Sequence, residues 1–134
     1  MNLFVDTSVW SLALRRDAPG SAAEVAALAR ALEGGEPVYT TELVLQELLQ
    51  GFRGPRARER IVDRFASLPF LKPERGDHVA AADLRNDCRR RGIQLGTIDA
   101  LLAQLCIRFD LALLTTDVDF RSVARHHPLG LWSA

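Results

Sequence analysis

A short apolar run that stops at a carboxylate and gives way to a helical pattern occurs twice. First, Leu3-Phe4-Val5 runs into Asp6, then the hydroxyls Thr7 and Ser8, then Val9, Trp10, Leu12 and Ala13 at helical spacing. Later, Leu111-Ala112-Leu113-Leu114 runs into Thr115-Thr116-Asp117, and a short helix follows. Apolar runs without alternation read as strands buried on both faces, the mark of a parallel sheet covered by helices. An acid just beyond the carboxyl end of such a strand stands where open α/β sheets bind ligands. Taken singly, Asp6 and Asp117 read better as helix N-caps than as site residues. The question is whether other carboxylates arrive at the same place.

Between these runs, strand and helix patterns alternate. Asp17 to Ser21 is a turn, and Ser21 with Glu24 three residues on forms a capping box for a helix to about Leu32. Pro37 to Thr40 is a second strand. Thr41 opens a helix from Glu42 to about Gln50, closed by Gly51. Gly54-Pro55 precedes an arginine-rich helix to about Ala66, and Leu68 to Leu71 is a brief strand. A helix from Asp77 to Arg91 stops at Gly92. Thr97 caps another, Ile98 to about Phe109, and Leu129 to Trp132 is a last strand. The expectation is an α/β sandwich with a mainly parallel sheet, residues 1–134 forming one domain.

Two acids interrupt apolar helix faces. Glu47 falls four residues after Leu43 and three after Val44, on the side opposite Glu42, Gln46 and Gln50. Asp99 has Leu102, Ala103 and Cys106 at i+3, i+4 and i+7. The helix dipole accounts for an acid in the first turn but not for its face. Helices covering a parallel sheet can bring such faces to the strand ends. Two carboxylates 4 Å apart repel by roughly 4 kcal/mol at an effective dielectric near 20, so a cluster needs protons or cations. An all-oxygen set suits Mg²⁺ or Mn²⁺.

The order Asp6, Glu47, Asp99, Asp117, in the contexts Val5-Asp6-Thr7-Ser8, Gln46-Glu47-Leu48-Leu49-Gln50-Gly51, Ile98-Asp99-Ala100-Leu101 and Leu114-Thr115-Thr116-Asp117-Val118-Asp119-Phe120, resembles PIN-domain ribonucleases. It is most similar to the VapC toxins of toxin–antitoxin pairs, over essentially the whole chain. The resemblance implies a three-layer α/β/α sandwich with a five-stranded parallel sheet in the order 3-2-1-4-5. It implies a catalytic, metal-binding set of Asp6, Glu47, Asp99 and Asp117, with Asp119 an accessory acid and Thr7 and Thr115 orienting hydroxyls. It further implies Mg²⁺- or Mn²⁺-dependent cleavage of RNA, a VapB-type antitoxin as partner, and a homodimer. The alternative is a catalytically silent PIN-like module that binds RNA or protein.

Composition limits other readings. The 134 residues have zero formal net charge, which argues against gross attraction to a polyanion. The distribution is less even. Lys72 is the only lysine among seventeen basic residues, and arginines gather at 53, 56, 58, 60 and 64 and again at 85, 89, 90 and 91. They read either as phosphate contacts or as solvated faces with acidic partners at helical spacing, such as Asp87 with Arg91. Cys88 and Cys106 form no C-x-x-C and read as core or helix-face thiols of a cytoplasmic protein. No secretory leader is expected, since Asp6 interrupts the first apolar run, and no run approaches the ~18 residues of a membrane span. A phosphatase of the aspartyl-phosphate type would need an acid where Ser8 stands. A phospho-acceptor domain would need a lysine near the acids, and Lys72 follows an edge strand. His78, His126 and His127 read as surface residues, and Trp10 and Trp132 as core or interface.

Overall fold

The computed structural model describes residues 2–15 and 22–134. The turn at Asp17 and the cap at Ser21 lie outside them. In chain order the elements are β1 (Leu3–Val5), α1 (Thr7–Leu14), α2 (Ala23–Glu33), β2 (Val38–Tyr39), α3 (Glu42–Gly51), α4 (Pro55–Phe65), α5 (Arg75–Arg90), α6 (Thr97–Arg108), β3 (Ala112–Leu114), α7 (Asp119–Ala124) and β4 (Gly130–Leu131). The sheet runs β2-β1-β3-β4, every pair parallel. Leu3 pairs with Val38 on one side and Ala112 on the other, which puts β1 at the centre. The sheet grows one way from β1 to β2 and the other way from β3 to β4. Right-handed crossovers therefore place helices on both faces.

The fifth strand expected at Leu68 to Leu71 survives as a single parallel bridge, Thr40 to Phe70, outside β2. With it the order is the expected 3-2-1-4-5. Its shortness has a local cause. Pro69 has no N–H to give a ladder, so it only accepts from Thr40 N at 3.1 Å, and Leu71 N then donates to Thr40 O at 2.8 Å.

Two helix starts differ from expectation. Thr97 is the first residue of α6 and does not cap it; Gly96 holds the cap position. Helix α5 begins at Arg75, with Glu74 before it, because Asp77 is spent inside the fold. Asp77 shares a buried face with Ala81, Leu84 and Cys88, accepts from Glu74 N at 2.9 Å and pairs with Arg108 of α6. Burial opposes its charge, but the Glu74 N–H and Arg108 outweigh burial and hold the carboxyl below its ordinary value. His127 is also not a free surface residue: it is half-buried and its Nε2 lies 2.8 Å from Asp87. Asp87 also takes the expected Arg91 contact at 2.9 Å.

The core joins Leu3, Phe4 and Val5 to Leu113 and Leu114 within the sheet and to Trp10 and Phe65 on the helices. Trp10 and Phe65 pack with ring centroids 4.9 Å apart and their planes tilted by 49°, and Phe70 meets Phe65 edge-on at 6.3 Å. Cys88 and Cys106 are buried free thiols. No helix among the described residues is long and apolar enough to cross a membrane.

Candidate acidic site

The neighbouring strands β1 and β3 both end at the sheet's switch point, where crossovers leave in opposite directions. Asp6 follows β1 directly, and its N–H extends the ladder to Leu114 O at 2.9 Å. It stands in the N-cap position of α1 but its side chain caps nothing. The carboxylate, only 6 % exposed, accepts at Oδ2 from Ser8 Oγ and from Thr115 Oγ1, each at 2.8 Å. The same two hydroxyls accept from the other side: Ser8 Oγ from Thr116 N at 3.1 Å, and Thr115 Oγ1 from Asp117 N at 3.0 Å. The ends of β1 and β3 are thus stitched together through hydroxyls that hold Asp6. Ser8 was not among the expected site residues. The only signal for it was its place two residues beyond Asp6, where a hydroxyl can turn back onto the preceding acid.

Asp117 does not hold the N-cap position of α7, which falls to Val118. Asp117 Oδ1 accepts from Asp119 N at 2.9 Å, an entry turn to that helix, while the Asp117 backbone is tied to Asp6 through Thr115. Glu47 lies on α3 beside buried Val44 and Leu48. It does not snorkel to solvent but is half-buried, with Oε1 accepting from Thr7 Oγ1 at 2.9 Å. Asp99 sits in the first turn of α6, next to fully buried Ala100, Leu102 and Ala103. Asp119 is exposed.

The acids feel one another. Burial and then the charges of Asp6, Asp117, Glu47 and Asp119 push the Asp99 carboxyl up from 3.8 to about 6. Burial and the charge of Asp6 likewise push the Cys106 thiol up, so that cysteine is inert packing. The five acids are therefore one electrostatic neighbourhood built from five places in the sequence. Oxygen donors only, repelling each other at the mouth of a sheet, fit a hard divalent cation. Among the described residues no three His, Cys, Asp or Glu side chains stand ready-made around one point, and the carboxylates of Asp6 and Glu47 are bonded to hydroxyls.

Asp99 makes stability depend on pH in a definite direction. Its carboxyl holds a proton more tightly in the fold than in the unfolded chain, so its contribution is intact below 3.8 and is lost as pH rises through about 6. The loss is at most about 3 kcal/mol, and less because the group is partly open to water. In chelator, Asp99→Asn should lack this fall. Urea denaturation of both chains across that window checks it; superimposable pH profiles would contradict the cluster.

An α/β domain whose acids converge at the switch point of a parallel sheet is the class that fold and site define. A PIN domain family model matches residues 3–126, and the chain belongs to that family. Among solved structures it is similar to a chain of VapBC2 from Rickettsia felis bound to a DNA fragment from their promoter, with 20 % identity, 98 % of each chain covered and a TM-score of 0.76. VapBC-1 from nontypeable Haemophilus influenzae gives 16 % identity, 99 % and 98 % coverage and a TM-score of 0.75. VapC20 from Mycobacterium tuberculosis, a sarcin-ricin loop cleaving toxin, gives 20 % identity, 90 % and 93 % coverage and a TM-score of 0.66. At these identities the likeness is one of fold.

Proposed function

We propose that this PIN-domain chain is a Mg²⁺- or Mn²⁺-dependent endoribonuclease of the VapC type, the toxin of a pair silenced by a VapB-type antitoxin. The observation that carries this reading is the junction of the β1 and β3 ends, where Ser8 and Thr115 hold Asp6, Thr7 holds Glu47 and Thr115 ties in Asp117, with the charges of these acids and of Asp119 acting on Asp99. The antitoxin partner draws on the VapBC complexes of similar fold, and the homodimer on the family resemblance alone.

Asp6, Asp99 and Asp117 would hold the ion, with Glu47 completing the set directly or through water. When bound, the ion supplies a more acidic water and offsets charge on the phosphate oxygens. The chain's own residues prepare the site. Ser8 and Thr115 fix Oδ2 of Asp6 and leave its second oxygen unclaimed by any described residue. Thr7 holds one oxygen of Glu47, so the other can take a proton or orient a water. Half-burial of Asp99 lowers the local dielectric, which strengthens each of these interactions.

Cleavage of a fluorescent single-stranded RNA should occur with Mg²⁺ or Mn²⁺ and fall to background in EDTA, returning when the ion is restored. Undiminished cleavage in chelator would remove the ion from the mechanism. Calorimetric titration with Mn²⁺ separates this reading from a silent module, which has no need to bind it.

A further inference from the structure

The arginine cluster of α5 divides in two. Arg90 and Arg91 both turn to Asp87, at 3.6 and 2.9 Å. Arg85 and Arg89, one helical turn apart on another face, pair with no acid among the described residues. They line a cavity of about 660 Å³ together with Gly92 to Gly96 and Asp119. That cavity adjoins the acidic site. Asp119 is on its wall, and a methyl placed on Gly96 would meet Asp99 Oδ2 at 3.9 Å. Arg85 is half-buried, and its Nε donates to Leu95 O at 2.8 Å. That bond fixes the guanidinium plane and leaves the outer nitrogens for a ligand, so little side-chain freedom remains to be lost on binding. The turn that forms the opposite wall needs Gly92, whose φ is +80°.

We propose that this cleft is the part of the substrate track that holds a backbone phosphate flanking the scissile one, with Arg85 as an anchored fork and Arg89 as a mobile second contact. The proposal rests on the ribonuclease reading. A polyanion of regularly spaced phosphates suits the place because one phosphate can sit at the ion while its neighbour reaches the arginines. An acidic protein tail would meet Asp119 and the acidic cluster with no such alternation. Both arginines are positioning residues, and they raise affinity without choosing sequence.

The test is equilibrium binding of a fluorescent 2′-O-methyl RNA hexanucleotide, shown by gel to stay uncut through each titration, to the full chain in Mg²⁺ across a salt series. The Arg85→Ala, Arg89→Ala double variant should bind on the order of 100-fold more weakly, since each lost bond is to a charged group. The slope of log affinity against log salt should flatten by about 0.7, the value for one phosphate contact on a single strand. In cleavage, KM should rise while kcat at saturating RNA stays near wild type. Arg89→Ala alone, an exposed side chain that holds no described part of the fold, should give roughly 10-fold and a smaller flattening of the slope, and it keeps the test in force if the double variant loosens. Unchanged affinity and slope in these variants, with a wild-type chain that binds and cuts, overturns the cleft and leaves the nuclease standing. A wild-type chain that neither binds nor cuts RNA with either ion overturns both. Variants that lose an oligo-glutamate peptide but keep RNA also overturn it, by giving the cleft to a protein tail.

Discussion

Asp6→Asn should yield a folded chain that no longer cuts RNA. The amide keeps an oxygen for Ser8 Oγ and Thr115 Oγ1, so the junction between the β1 and β3 ends stays closed. It removes one charge from a cluster whose mutual repulsion shows in Asp99, so the ion-free fold loses nothing and gains a little. What goes is the anionic donor nearest the centre of the sheet. A divalent ion contributes several kcal/mol of transition-state charge stabilisation, and at ~1.4 kcal/mol per tenfold the rate should drop by about 10³ or more. Initial rates in Mn²⁺ with a circular dichroism spectrum of each chain measure both halves. Native spectra with retained cleavage would take Asp6 out of the site.

Phe65→Ala should cost about 3–5 kcal/mol, as truncation of a buried aromatic side chain does. Phe65 is 1 % exposed and lies at the junction of three elements: Trp10 of α1 at 4.9 Å between ring centroids, its own helix α4, and Phe70 beside the lone bridge at 6.3 Å. Total stabilities of ~5–15 kcal/mol leave a domain with such a loss close to its unfolding threshold at 37 °C. The consequence reaches the site, because α1 starts at Thr7, whose hydroxyl holds Glu47. Urea denaturation should show a lower midpoint at unchanged slope, and Phe65→Leu should lose less. An unmoved midpoint for Phe65→Ala would mean that the two rings do not form the joint described.

The elements that could be read from sequence were those whose signal is local. Leu3 to Val5 and Leu111 to Leu114 lack alternation because both faces are covered, and they are the central strands. Glu47 and Asp99 stood out because each carries a charge on an otherwise apolar helix face, and their contacts with Thr7 and with the acidic neighbourhood explain why. What escaped depends on distant partners. Asp77 reads as a helix start, yet its charge is matched by Arg108, thirty-one residues on. The same holds for His127 with Asp87. The role of Ser8 required knowing that Thr116 N would lie across from it, which only the pairing of β1 with β3 settles. That Arg85 and Arg89 part company with Arg90 and Arg91 follows from which side of α5 Asp87 occupies and from the cleft made by the following turn.

The sheet's outer margins bear on how copies of this chain meet. One margin is a single bridge beside a proline, and the other is β4, two residues long. Neither offers a foreign strand a run of free amides and carbonyls to zip onto, so cross-β growth has no template here. Among the described residues the surfaces left for self-association or for capture by another polypeptide are helices and loops, and such surfaces can be released again.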